Sequence, residues 1–77
     1  MARKVYAQYE AVSAVVPGEG GYHAAIAVKA LVDAGAPRFH KILDGQRFSK
    51  AFEADDAASQ ALEQLADVDA DGELVWA

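Results

Sequence analysis

The chain contains no cysteine, threonine or asparagine, and its 77 residues include only two prolines and one methionine. Without cysteine there is no disulfide framework and no cysteine-ligated zinc staple. The side chains left for metal binding are carboxylates and two separated imidazoles, His23 and His40. A domain this short buries only about 60 to 65 % of the surface its unfolded chain exposes, so a thin core and marginal stability are expected. The apolar content of 53 % is high but inflated by eighteen alanines, each contributing little buried area. Long apolar runs are also missing: no stretch approaches the roughly 18 residues of a membrane span. Met1-Ala2-Arg3-Lys4 is not followed by a long apolar signal core, so a cytoplasmic protein without membrane contact is expected, and the lack of cysteine fits that compartment. The missing threonine and asparagine, beside abundant alanine, glycine, valine and aspartate, suggest GC-biased bacterial coding.

Positive charge is absent from the last 25 residues, which hold eight of the twelve acids: Glu53, Asp55, Asp56, Glu63, Asp67, Asp69, Asp71 and Glu73. The first 52 residues carry all seven lysines and arginines, giving net +3 there against net −8 beyond, and −5 overall. Such a split predicts a dipolar domain, with one surface inviting anions and another repelling them.

Residues 5–16 alternate Val5, Ala7, Tyr9, Ala11 against Tyr6, Gln8, Glu10, then change phase near Ser13 to Val12, Ala14, Val16, which predicts a bulged strand. Pro17-Gly18-Glu19-Gly20-Gly21 is a dense turn signal. Residues 22–32 fit two periods. A strand places Tyr22, Ala24, Ile26, Val28, Ala30 and Val32 on one face with His23 and Lys29 on the other, whereas a helix offers Ala24, Ala27, Val28 and Leu31. The cleaner period-2 face and the glycine-rich turn before it favour the strand. Asp44-Gly45, flanked by residues 38–43 and 46–52, predicts a two-residue hairpin with Phe48 and Phe52 on one side of its second arm.

From about residue 54 to 66 the period changes. Ala54, Ala58, Ala61, Leu62 and Leu65 make a helical stripe with Asp55, Asp56, Ser59, Gln60, Glu63 and Gln64 outward, and Asp55 and Asp56 suit its first turn. Leu74-Val75-Trp76 reads as a short terminal strand or an apolar plug. The expected architecture is a single α+β domain over 1–77: an antiparallel sheet of three to four strands with one C-terminal helix packed on one face, ββββα with a possible short terminal strand. The other sheet face must then be solvated or covered by a partner.

The order Gly20-Gly21-Tyr22 in a first hairpin, then Phe52-x-x-x-Asp56-Ala57 opening a helix, resembles small bacterial domains of unknown function built as a sheet followed by one helix. That resemblance implies a fold and no chemistry. A looser likeness is to sheet-plus-helix antitoxin domains of truncated RNase H fold, none of whose motifs stands in this chain.

Three candidate sites follow from the residues. Asp67, Asp69 and Asp71, in Asp67-Val68-Asp69-Ala70-Asp71-Gly72-Glu73-Leu74, match the opening of a calcium loop, but the twelfth ligand falls one residue past Ala77, leaving only the terminal carboxylate to replace it. An acidic turn is the plainer reading. Arg38, His40, Lys41, Arg47 and Lys50, interleaved with Phe39 and Phe48, could follow a phosphate backbone, or form an ordinary solvated edge. A net charge of −5 opposes tight nucleic-acid binding. Tyr6, Tyr9, Tyr22 and Trp76 are core or rim aromatics that would make a partner contact if several lay on the uncovered face.

Catalysis and cofactors are not expected. His23 and His40 could meet across adjacent strands, yet neither has a nearby carboxylate in sequence, and Ser13, Ser49 and Ser59 lack a nucleophile context. The leading expectation is a non-enzymatic protein-interaction module that self-associates as a homodimer, or binds another protein, through the helix-free sheet face or an edge strand. The alternatives are an acidic inhibitor using Asp55, Asp56, Glu63 and Asp67, and nucleic-acid binding by the basic hairpin.

Overall fold

The computed structural model describes residues 2–32, 35–43 and 45–76. It shows an α+β fold: a four-stranded antiparallel sheet in the order β1 (Arg3–Val5), β2 (Tyr9–Gly18), β3 (Gly21–Ala30), β4 (Arg38–Lys41), then helix α1 (Ala51–Gln64), then a separate two-stranded sheet of β5 (Leu65–Val68) and β6 (Leu74–Trp76).

The expected first strand is two strands. A tight reversal after Val5 is closed by the Tyr6 amide donating to the Tyr9 carbonyl at 2.7 Å, with neither glycine nor proline to mark it in the sequence. Beyond it β2 runs unbroken against β3 from Tyr9 opposite Ala30 to Gly18 opposite Gly21. The change of phase at Ser13 is therefore no bulge. β2 is apolar on both faces: Ala11, Ser13 and Val15 lie with Ala24, Ile26 and Val28 on one side, while Val12, Ala14 and Val16 lie with Ala25 and Ala27 on the other. Residues 21–30 form the strand that the period-2 reading favoured.

The turn expected at Asp44-Gly45 closes, the Gln46 amide donating to the Leu43 carbonyl at 3.0 Å, but its two arms do not pair as a hairpin. Asp44 lies outside the described residues, and the second arm does not return along β4. Instead the edge chain stays on β3: the Ile42 amide donates to the Ala24 carbonyl, and Phe48 exchanges two hydrogen bonds of 2.8 Å with Tyr22. Two steps along β3, from Ala24 to Tyr22, are matched by six along the edge, so four residues are looped out. Gly21 lets this happen, because a Cβ there would sit 2.6 Å from the Phe48 carbonyl oxygen. The chain then enters α1, so Phe52 is an exposed helical residue rather than a strand residue.

Helix α1 buries Ala54, Ala58 and Leu62 against β2 and β3. The core joins Ala58 and Leu62 to Ala11, Ala24, Ile26, Val28, Ile42, Leu65 and Val68. The helix starts three residues before the expected boundary and stops at Leu65, whose backbone turns extended at φ −71°, ψ 116° and leads straight into β5. Tertiary contacts explain the stop. The Lys4 ammonium donates to the Glu63 and Leu65 carbonyls at 3.1 and 3.3 Å, and the Tyr6 hydroxyl to the Leu65 carbonyl at 2.9 Å. A cation is thereby placed at the negative end of the helix dipole, where it satisfies orphan carbonyls.

Asp55, expected to face outward, turns toward the sheet. It accepts from the Ser13 hydroxyl at 2.9 Å, and Ser13 Oγ in turn accepts from the Ala2 amide at 2.9 Å. Ser13 is the one buried polar residue among those described, and this relay satisfies both its donor and its acceptor.

Candidate interaction surface

Helix α1 and the β5–β6 hairpin cover the same side of the main sheet. The hairpin is tied down at its turn: Arg38 donates to the Asp71 carbonyl at 2.7 Å, His40 Nε2 lies 3.0 Å from the Gly72 carbonyl, and the Tyr9 hydroxyl donates to the Ala70 carbonyl at 3.0 Å. Among the described residues, no helix or second sheet is packed on the other side.

The strand registers fix what that open side presents. Cross-strand partners form four rows: Val5, Glu10, Lys29; Arg3, Val12, Ala27, Phe39; Ala14, Ala25, Lys41; and Val16, His23. The centre is apolar with a floor of alanines, of which Ala25 is fully buried even here. Phe39 and Val5 stand up at its edges, 58 % and 57 % exposed. Charge lies at the margin: Arg3 binds Glu10 at 2.6 Å, Lys29 sits directly across from Glu10, and Lys41 occupies the far edge strand. The patch thus has half-buried and exposed apolar strand positions with no described element packed over them, and a rim carrying both signs of charge.

The sequence candidates distribute differently. Tyr6 and Tyr9 hydrogen-bond to carbonyls on the covered side, where both pack against the core, and Tyr22 shares that side through its register with Phe48. Burial first, and the nearby Asp67 carboxylate second, push the Tyr6 phenol above its ordinary pKa of 10.0. Trp76 is on β6, half-exposed, beside a shallow groove of about 590 Å³ bordered by His40, Ile42, Leu43, Ala61 and Leu74. The open face is built instead from Val5, Val12, Ala14, Val16, Ala27 and Phe39. The signal was available: an apolar residue at nearly every position of β2 and β3, rather than at alternate ones, is what a sheet covered on both faces shows.

The basic cluster does not form one ribbon. Alternation puts Arg38 and His40 on the covered side, committed to the β5–β6 turn, and Lys41 on the open face. Arg47 lies beside Gly20 at the first hairpin, and the Lys50 ammonium rests over the Phe52 ring, 5.7 Å from its centre. His23 and His40 cannot meet, since one shares a face with Ala25 and the other with Ile26.

The acidic turn folds on itself. One Asp69 carboxylate oxygen accepts from the Asp71 and Glu73 amides at 2.9 and 3.0 Å, and Asp67 accepts from the Val68 amide at 2.8 Å. Among the described residues no three His, Asp or Glu side chains gather as a metal site, and Ala77, whose carboxylate was to supply the last calcium ligand, lies outside them. Asp56 and Glu63 are exposed on α1 and Asp67 on β5, whereas Asp55 is withdrawn to Ser13. No described helix is long and apolar enough to cross a membrane. Comparison with protein-family models, curated proteins and solved structures finds no match.

Proposed function

We propose that the chain is a non-enzymatic protein-interaction module that associates with a second copy of itself through the open face of its four-stranded sheet. The observation that carries the reading is that face: ten-residue strands apolar on both sides, covered by the helix on one side only. Strands of 3, 10, 10 and 4 residues, at about 3.4 Å rise and about 4.8 Å spacing, give a footprint of about 440 Å². Seven of the twelve residues in its four rows are apolar, and covering that share of two such faces is worth about 13 kcal/mol gross at about 25 cal/mol per Å². Association costs about 4 to 15 kcal/mol, so the net favours a reversible pair over a permanent one.

The separation of His23 from His40 and the commitment of Ser13 and Ser49 to carboxylates support a role without catalysis. The absence of cysteine, threonine and asparagine supports the cytoplasm of a bacterium as its setting. Light scattering at tens of micromolar tests the reading. A concentration-dependent mass rising toward that of two 8.1 kDa chains is expected, and the mass of one chain throughout would overturn it.

A further inference from the structure

We propose that two copies join their open faces about a two-fold axis that runs parallel to β2 and β3 and midway between them, an arrangement that rests on the self-association proposed above. Such an axis lays β2 over the partner's β3, and β1 over the partner's β4, each cross-strand row meeting its own copy.

The charges select it. In the row Val5, Glu10, Lys29, the rotation brings Glu10 over the partner's Lys29, and Lys29 over the partner's Glu10. Two reciprocal ion pairs result from one self-complementary patch. In the next row Val12 meets the partner's Ala27, and the Arg3 guanidinium approaches the partner's Phe39 ring, a cation over an aromatic face. Ala14 meets the partner's Ala25, so the alanine floors allow close approach. Aligned sheets pack about 10 Å apart with their strands within about 30° of each other, which keeps the rows in register near the axis.

Other arrangements fail on the same rows. An axis across the strands through the Arg3 to Phe39 row would set Glu10 over the partner's Ala14, and Lys29 over the partner's Ala25, burying a carboxylate and an ammonium against methyl groups. Head-to-tail docking of the acidic helix would complement Lys29 and Lys41, but the exposed helix positions offer Phe52 as their one large apolar side chain. That leaves Val12, Val16 and Phe39 poorly covered. A pair of faces totals about 900 Å², below the about 1,200 Å² of stable interfaces, so the dimer should dissociate in the micromolar range.

The test uses E10K and K29E, singly and mixed. Each variant alone sets like charges against each other twice across the axis, and its dissociation constant by sedimentation equilibrium should rise at least about tenfold. An equimolar mixture restores both reciprocal pairs between unlike chains, although within each chain the neighbours at 10 and 29 remain like-charged. Recovery to within about threefold of the unaltered protein is expected. Dimers as tight as the unaltered protein's in either variant, or no recovery on mixing, would overturn the axis while leaving self-association intact. A monomeric unaltered protein would overturn both.

A second measurement needs no substitution. Carbodiimide coupling of a mixture of ¹⁴N- and ¹⁵N-labelled protein should yield Glu10–Lys29 peptides of mixed isotope. If those peptides carry only one isotope, each bond lies within a chain and the axis is wrong.

Discussion

Ser13→Ala should cost this small domain a large share of its stability. The hydroxyl is 1 % exposed, donates to Asp55 at 2.9 Å and accepts from the Ala2 amide at 2.9 Å. A hydrogen bond to a charged group contributes about 1.5 to 3 kcal/mol, and one to a backbone amide about 1 kcal/mol. Replacing a buried oxygen by hydrogen beside Ile26 returns about 1 kcal/mol, so a net loss of about 1.5 to 3 kcal/mol is expected. A domain of 77 residues has about 4 to 12 kcal/mol in total. At about 4 to 8 °C per kcal/mol, the melting temperature should fall by roughly 6 to 24 °C. Urea unfolding followed by far-ultraviolet circular dichroism measures the change, with the slope against denaturant unaltered. In an Asp55→Asn background the same substitution should cost about 1 kcal/mol less, because the bond to charge is already gone. A loss under about 0.5 kcal/mol, the scale of an indifferent surface substitution, would refute the idea that the relay holds helix to sheet.

Three further outcomes are expected. Gly21→Ala pushes a methyl group to 2.6 Å from the Phe48 carbonyl, so it should lose about 2 to 4 kcal/mol in the same assay and expose the Phe48 amide to hydrogen exchange. Lys4→Met removes the cation at the end of α1 and should cost about 0.5 to 1.5 kcal/mol, a loss that added salt reduces in the unaltered protein. Tyr6 has its pKa raised by folding, so the stability it contributes is complete below about pH 10 and is lost as pH rises through the higher folded value. Thermal melts from about pH 8 to about pH 11 should therefore fall less steeply for Tyr6→Phe than for the unaltered chain, and Asp67→Asn should flatten the curve by a smaller amount, since burial is the larger cause.

Much of the architecture was legible, and the failures have physical causes. Residues 22–32 read as a strand because their apolar positions keep a period of two from Tyr22 to Ala30, and the helix because its period becomes 3.6. The reversal at Tyr6 has no sequence signal, because a backbone hydrogen bond to Tyr9 makes it without any of the residues that usually announce a turn. The turn at Asp44-Gly45 closes as its residues imply, but the second arm goes to Tyr22 instead of β4, a long-range pairing for which Gly21 leaves room. The helix end was misplaced by two residues because the groups that stop it, Lys4 and Tyr6, are about sixty positions away in the chain. The open face is legible in part: Val12, Ala14 and Val16 read as a change of phase and are the second apolar side of one strand. The tyrosines drew attention instead because large aromatics are conspicuous, but hydroxyl bonds to Leu65 and Ala70 hold two of them on the helix side.

The clasp of Lys4 and Tyr6 on the Leu65 carbonyl bears on when the fold can close. A growing nascent chain can pair β1 with β2, and β2 with β3, long before residue 65 leaves the ribosome, but the exposed sheet then has neither its helix nor the contact that ends it. Until that carbonyl emerges, the clasp is missing and the broad faces of the hairpin stay bare, which is when the nascent chain is stickiest.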